Sequence, residues 1–353
     1  MTAIYSIGTA VPEHQLKQQK AKELIEGLID DRKLSRYLAV FDNANIDQRY
    51  FVAEPAWFLS EHGLAERNNL FFSKGIQLAI NAINDCLKNC DIHLDEIDAV
   101  ISVSSTAILT PPIEVHLLNR LPFRKDIKRY PFFGLGCAGG GIALSRAHDY
   151  LQSNPDQAVM IINLELASVA FHHDQLDSQN IVGAALFGDG ASCTVLLGKD
   201  HQKLNSSNKH LHIVSTSSRI LDDSIDVMGW NVKDDGFHVI FATVIPKIVK
   251  TFWRAHLNDF INNIGINFSE IENVLAHPGG RKVLEEIEAL MEEHQSLKFS
   301  KYILKTYGNM SSPTILFVIK EALKDEGVFN QKYHLASALG PGFASEILLM
   351  EWK

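Results

Sequence analysis

A cysteine followed by three consecutive glycines constrains this chain more than any other feature. It lies in the run Phe133-Gly134-Leu135-Gly136-Cys137-Ala138-Gly139-Gly140-Gly141. Upstream is a β-rich segment, Tyr130 to Phe133; downstream, Ile142, Leu144, Ala147 and Leu151 fall on roughly one helical face. The thiol therefore sits at a strand-to-helix turn, at the helix N-terminus. Unpaired N–H groups and the helix dipole there favour thiolate over thiol. The glycines let a substrate or a neighbouring backbone come close. A buried structural cysteine is the plainer alternative for a single Cys.

Two later segments favour chemistry. Val274-Leu275-Ala276-His277-Pro278-Gly279-Gly280 reads as a short apolar strand that delivers a histidine into a turn. Tyr307-Gly308-Asn309-Met310-Ser311-Ser312 reads as a tight turn before a helix opening near Ser312-Pro313. Alone, His277 is a turn histidine and Asn309 a helix cap. Together, Cys137, His277 and Asn309 supply a nucleophile, its cation partner and an amide donor, the set needed for thiolate acyl transfer.

These segments, with Gly188-Asp189-Gly190-Ala191 and Leu339-Gly340-Pro341-Gly342-Phe343, resemble the chalcone-synthase-like (type III) polyketide synthases. The resemblance runs from about Ile4 to Trp352. Among its members it is similar to the bacterial enzymes that make alkylpyrones from fatty acyl starters. It implies a thiolase-like α/β fold in which duplicated halves form a five-layer αβαβα sandwich. Residues 1–203 would be the half carrying the nucleophile, and 204–353 the half carrying the His and Asn. The polar stretch from Lys199 to His210 would join them.

Strand and helix patterns agree with that layout. Ala99 to Val103, Val159 to Leu164 and Val274 to Ala276 read as strands alternating with helices, which implies parallel pairing. Two hairpins are expected, one from Ala184–Phe187 to Ala191–Leu197 turning at Gly188-Asp189-Gly190, the other from His334–Leu339 to Ala344–Met350 turning at Gly340-Pro341-Gly342. The net charge of −9 and the absence of a basic run argue against nucleic acid. No apolar stretch approaches the roughly 20 residues of a membrane span, and the first residues lack a signal-peptide pattern. Four cysteines make no disulfide framework or zinc spacing, and the cytoplasm is the simplest compartment.

The resemblance implies a reaction with no metal or organic cofactor. Cys137 takes an acyl group from an acyl-CoA. His277 and Asn309 hold the thioester oxygen of malonyl-CoA while carbon dioxide leaves, and the enolate extends the chain by two carbons. The backbone N–H of Cys137 is the candidate oxyanion donor, and Gly340, Pro341 and Gly342 shape the cavity. Alternatives in the same fold are a β-ketoacyl synthase III-like enzyme of fatty-acid synthesis and hydroxymethylglutaryl-CoA synthase. His277 is followed by Pro-Gly-Gly rather than the Gln-Ala-Asn of the former, and no glutamate segment suits the latter. A non-catalytic acyl-binding homologue is a further alternative.

Against the plant enzymes, Phe237 matches one of two gate phenylalanines and Leu211 stands at the other. Ala167 and Ala170 replace two threonines, which suits an alkyl tail. Met228 stands where the plant pocket has glycine and would narrow the elongation space. Of three coenzyme A-binding basic residues only Arg36 is matched, so a starter on an acyl carrier protein is an alternative donor. A homodimer is implied, with the loop from Ser105 to Pro112 reaching the partner's cavity through Thr110 at its tip, and Thr110-Pro111 a candidate cis bond. Ser105, Glu165 and Ser311 match a water-holding relay of carbocycle-forming relatives. If the relay reaches Cys137, aldol closure follows; if it is broken, a pyrone leaves.

Overall fold

The computed structural model describes residues 1–29, 32–88, 90–204, 209–325 and 333–353. Residues 205–208 of the expected linker lie outside the described residues. In chain order the strands are β1 (Thr2–Ala10), β2 (His14–Lys17), β3 (Gln48–Phe51), β4 (Ala99–Ser104), β5 (Lys128–Phe133), β6 (Ala158–Leu166) and β7 (Asp189–Gly198). There follow β8 (Leu211–Ile220), β9 (Met228–Lys233), β10 (Gly236–Phe241), β11 (Ile271–Ala276), β12 (Tyr333–Gly340) and β13 (Ala344–Trp352).

The main sheet runs β11-β12-β13-β8-β1-β7-β6-β4-β5, with β2–β3 and β9–β10 as separate two-stranded sheets. β4 pairs in parallel with β5 and β6, and β11 with β12, whereas β7 and β13 pair antiparallel with their neighbours. Each end of the sheet is thus a parallel unit closed by an antiparallel strand. The two halves join where Thr2 to Ile4 of β1 pair with Leu211 to Ile213 of β8.

The Gly139–Ser153 and Thr314–Leu323 helices contact both halves of the sheet and each other, and so form the middle layer. Their apolar faces build one core with Ile101, Val103, Ile161, Leu275 and Leu348. A second core lies outside β1 and β7, under the Ile76–Leu87 helix. A third joins the Arg254–Ile264 and Arg281–Glu288 helices with Val274, Ile347 and Leu349. Helix, half-sheet, helix, half-sheet, helix is the layering expected from the sequence. No helix among the described residues is long and apolar enough to cross a membrane.

One expected hairpin is absent. Ser178–Leu186 is a helix, started by the Asp177 side chain accepting from Gln179 N at 2.9 Å and Asn180 N at 2.8 Å. Alanines at 184 and 185 favour that helix, and the aspartate cap was its sequence signal. β7 pairs instead with β1 and β6. The second hairpin, β12 to β13, forms, pairing antiparallel and turning through Pro341–Phe343.

Candidate active site

The glycines around Cys137 have distinct geometric reasons. Gly136 has φ +47°, and a Cβ there would meet Pro341 Cδ at 2.7 Å. A Cβ on Gly140 would come within 2.3 Å of the Ser312 carbonyl oxygen. The glycine run thus lets the Cys137 turn close onto the Asn309–Ser312 turn and the Pro341 turn together. His277 arrives differently: it follows the last residue of β11, and its backbone N–H donates to Ser337 O at 2.7 Å. Cys137 and His277 therefore both project beyond the carboxyl ends of parallel strands, where α/β folds place their ligands.

The three residues line one cavity of about 610 Å³. Asn309 lies beside the sulfur, with Nδ2 and Oδ1 each 3.7 Å from Sγ. Its amide oxygen accepts from Ser311 N at 2.8 Å, and Nδ2 donates to Gly279 O at 3.4 Å. Both ring nitrogens of His277 are buried and have no hydrogen-bond partner, so no hydrogen bond joins imidazole to thiol. Met228, Ser311 and Pro341 line the same cavity, flanked by Gly340 and Gly342.

Electrostatics differ from the sequence expectation of a resting thiolate. Burial pushes the Cys137 thiol up to about 11, against the smaller lowering effects of hydrogen bonds from Asn309 and Ser311. Burial likewise pushes His277 down to about 3. Desolvation outweighs the helix N-terminus, and the resting pair is neutral.

A second cavity, of about 820 Å³, adjoins the first. Ala167 and Ala170 line it, with Leu16, Leu24, Ile25, Phe51, Phe58 and Phe171. Phe187, Trp230 and Val239 line both cavities. Arg49 also faces the larger one. Its buried guanidinium donates to Gln18 Oε1 at 3.1 Å, Phe187 O at 2.8 Å and the Ala184 carbonyl.

Several expected positions need correction. Leu211 lies in the core at the β1–β8–β13 joint, paired with Ile4 and Trp352, and lines neither cavity. Alternation along β8 turns it toward the middle-layer helices. The aromatic residues that line both cavities are Phe187 and Trp230, whose ring centres lie 5.8 Å apart, and the Phe237 ring lies 6.3 Å behind Trp230. Phe237 itself is buried and lines neither cavity. Sequence reasoning missed Phe187 and Trp230. For Phe187, the signal was its place directly before Gly188-Asp189-Gly190.

The relay also differs. Glu165 accepts from Ser105 N at 2.9 Å, Thr106 Oγ1 at 2.7 Å and Ser312 Oγ at 3.0 Å; Ser311 is not among its partners. Ser311 adopts φ +60°, so consecutive serines face different ways, one into the thiol cavity and the other onto Glu165. Ser105 Oγ accepts from Gly136 N at 2.9 Å. Burial raises Glu165 to about 7. Arg36 is exposed, donates to Tyr37 Oη at 3.0 Å and lines neither cavity. Thr110 is exposed too, and its bond to Pro111 is cis. Among the described residues His172, Asp235 and His238 could hold a metal, but Arg67 Nη2 lies 3.3 Å from His172 Nδ1 and already occupies that lone pair.

Residues 1–201 match the N-terminal domain of chalcone and stilbene synthases, and 212–352 match their C-terminal domain. A Bacillus subtilis protein provisionally named a chalcone synthase is 36% identical, over 100% of this chain and 99% of its own. The 1,3,6,8-tetrahydroxynaphthalene synthase of Streptomyces peucetius is 30% identical, over 99% of this chain and 93% of its own. The crystal structure of the Streptomyces coelicolor synthase of that name, a bacterial type III polyketide synthase, superposes with a TM-score of 0.92. It is 24% identical and covers 99% of both chains, which shows a shared α/β thiolase-like fold.

Proposed function

Because the chain belongs to the chalcone and stilbene synthase family of type III polyketide synthases, we propose that it takes a fatty acyl starter from coenzyme A onto Cys137, extends it with malonyl-CoA and releases an alkylpyrone. The observation that carries the starter assignment is the 820 Å³ cavity, whose mainly aliphatic and aromatic wall meets the thiol cavity. Ala167 and Ala170 offer no hydrogen bond there, so methylene burial decides the fit, at roughly 0.8 kcal/mol per CH₂.

The neutral resting pair suits this chemistry. A lone thiolate or imidazolium is disfavoured in the cavity, but moving the thiol proton to His277 creates both charges together. Their mutual attraction makes charging the pair less costly than charging either group alone. The thiolate attacks the acyl-CoA carbonyl, and coenzyme A leaves with the proton. Malonyl-CoA then places its thioester oxygen against Asn309 Nδ2 and the His277 ring. Loss of carbon dioxide leaves an enolate, whose charge those donors stabilise where it develops. Its carbon attacks the acyl-cysteine, which frees the thiolate and lengthens the chain by two carbons. In this reading residues 1–203 supply the nucleophile and 204–353 the enolate donors.

Pyrone release is supported by the Glu165 contacts. Its hydroxyl partners are Thr106 and Ser312, and no hydrogen bond links it to Ser311 beside the thiol. Without a relay that activates water at the acyl-cysteine, the chain's own enol oxygen closes on the thioester. Mass spectrometry of products from octanoyl- to palmitoyl-CoA with malonyl-CoA tests both parts. Alkylpyrones are expected. A resorcinol or other carbocycle as main product refutes the release step, and better use of coumaroyl-CoA refutes the fatty starter.

The same reading includes a homodimer. β5 is an edge strand that exposes Tyr130 at 38% and Phe133 at 59%, and the neighbouring loop exposes Ile108 at 49%. Such an edge invites cover. Light scattering at micromolar concentration is expected to give twice the chain mass, and a monomer would count against it.

A further inference from the structure

We infer that Arg49 is the positioning residue for Asn309, an inference that rests on the reading of Asn309 as an enolate donor. Arg49 lies on β3, away from the turns that carry the reacting side chains, and it is buried. Asn309 takes its place from a neighbouring piece of backbone. Phe187 and Asn309 form an isolated parallel bridge outside the sheets. Gly188 N donates to Asn309 O at 3.0 Å, and Asn309 N donates to Leu186 O at 2.9 Å. The side-chain bond from Nδ2 to Gly279 O is longer, at 3.4 Å, and the bond from Ser311 N to Oδ1 lies within the same turn. The amide therefore follows the backbone from Leu186 to Gly188.

Arg49 holds that backbone. The Ser178–Leu186 helix ends in carbonyls that have no helical partner. Ala184 O and Phe187 O both accept from Arg49 Nη1, the latter at 2.8 Å. Ala185 O accepts from Gln18 Nε2 at 2.9 Å, and Gln18 Oε1 accepts from Arg49 Nε at 3.1 Å. The carbonyl between them, on Leu186, is left for Asn309 N. The arginine stem sets the other side. Gly308 has φ +71°, and a Cβ there would meet Arg49 Cγ at 2.7 Å and Cδ at 2.8 Å. Glycine before Asn309 thus lets the stem lie directly against the turn. The segment entering β3 is in turn tied to the Lys298–Tyr307 helix, with Asp47 N donating to Lys305 O at 2.8 Å.

Arg49 is not among the residues that line the thiol cavity. Its Nη2 is buried without a partner, and burying a cation so is costly. Packing alone does not explain an arginine at this position. Its bonded donors go to the helix-end carbonyls and to the glutamine that caps with it. Arg49 thus acts on the enolate step through Asn309, and on the thiol only indirectly.

Two partial reactions of the purified enzyme test this. Carbon dioxide release from malonyl-CoA reads Asn309. Acylation of Cys137 by decanoyl-CoA without malonyl-CoA, followed by intact mass, reads the thiol. Arg49→Met keeps a stem against Gly308 and removes the donors. It is expected to lower kcat for decarboxylation by about tenfold to a hundredfold, the scale of a misplaced group, and acylation by less than about threefold. Arg49→Lys keeps the charge but loses the planar fork, and its decarboxylation rate is expected to fall between. In an Asn309→Ala enzyme, adding Arg49→Met is expected to change the residual decarboxylation by less than about twofold, because the group it acts through is gone. An Arg49→Met enzyme with wild-type decarboxylation overturns the inference, and so do losses that multiply in the double variant. Equal losses in both partial reactions also overturn it, since Arg49 would then support the fold alone. Should Arg49→Met not fold, Arg49→Lys is read alone and with Asn309→Ala by the same criteria. If Asn309→Ala by itself keeps wild-type decarboxylation, the enolate-donor reading fails and takes the inference with it. If Asn309→Ala loses decarboxylation while Arg49→Met keeps it, only the inference fails.

Discussion

The two adjoining cavities are built by opposite means. The reacting side chains of the thiol cavity come from turns at element ends, Cys137 after β5, His277 after β11 and Asn309 after the Lys298–Tyr307 helix, against a wall supplied largely by the β9–β10 hairpin. Each turn is a short run of glycine, proline and polar residues whose backbone contacts fix one side chain. The tail cavity is made of side chains from β2, β3, the helices Gln18–Glu26, Pro55–Phe58 and Ser178–Leu186, the Ala167–Ala170 turn and the β9–β10 hairpin. No short run defines it. Chemistry thus sits where local backbone geometry dictates position, and shape sits where distant elements happen to converge.

The strongest way to break that comparison is to remove the thiol. Cys137→Ala is expected to lower chain extension by a factor of about 10³ or more, because loss of a nucleophile removes the covalent step entirely. Malonyl-CoA decarboxylation is expected to continue at a measurable rate, since His277 and Asn309 remain. Carbon dioxide release and product formation are assayed side by side. Extension surviving the substitution would move the nucleophile elsewhere.

The same contrast explains what the sequence disclosed. Cys137, His277 and Asn309 could be picked out because strand, turn and helix signals place each one without knowledge of the others. The five-layer arrangement followed from strand and helix alternation together with the family resemblance. Trp230 could not be found that way, since a cavity wall is a property of many separate segments; Phe187 had a local signal in the turn that follows it. Leu211 was misplaced for a related reason: its face depends on how β8 pairs with β1 and β13, a register that no local pattern prints. Ala184 to Phe187, whose first three residues end the Ser178–Leu186 helix, was read as a strand because a short apolar run fits either period.

Leu211 allows that correction to be sharpened. It is fully buried in the middle core, so Leu211→Ala is expected to cost about 2–5 kcal/mol of stability. The distribution of products over starters is expected to stay the same. Denaturant unfolding and a starter competition measure the two effects separately. A changed starter preference with little loss of stability would return Leu211 to the cavity wall.

Glu165 backs the thiol cavity from behind and probes its dryness. Burial raises its carboxyl from 4.5 to about 7. The protonated form is therefore favoured in the folded state. Its contribution to stability is full below pH 4.5 and is lost as the pH rises through about 7. The interval corresponds to about 3 kcal/mol. Glu165→Gln cannot titrate, and its amide can accept from Ser105 and Thr106 while donating to Ser312. Relative to wild type, the variant is expected to gain about 3 kcal/mol between pH 4 and pH 8. Urea unfolding across that range measures it, and parallel curves would mean that Glu165 is hydrated in solution. Pyrone output from the variant is expected to match wild type, because the release step does not route through this carboxylate.

The smallest effect belongs to the tail cavity, where no single residue dominates. Ala170 is buried on its wall beside Phe171. Ala170→Phe would fill part of the space while leaving the thiol cavity untouched. If the new ring excludes two methylenes, the loss is about 1.6 kcal/mol, or somewhat over tenfold in kcat/KM for the longest well-used starter. Short starters do not reach the ring and are expected to keep their rates, so the optimum moves to shorter chains. Uniform loss across all lengths would instead indicate that overpacking had disturbed the fold, which melting temperature reads independently. An unchanged optimum in a stable variant would mean that the tail leaves the thiol cavity in another direction, and the larger cavity would lose its claim on the starter.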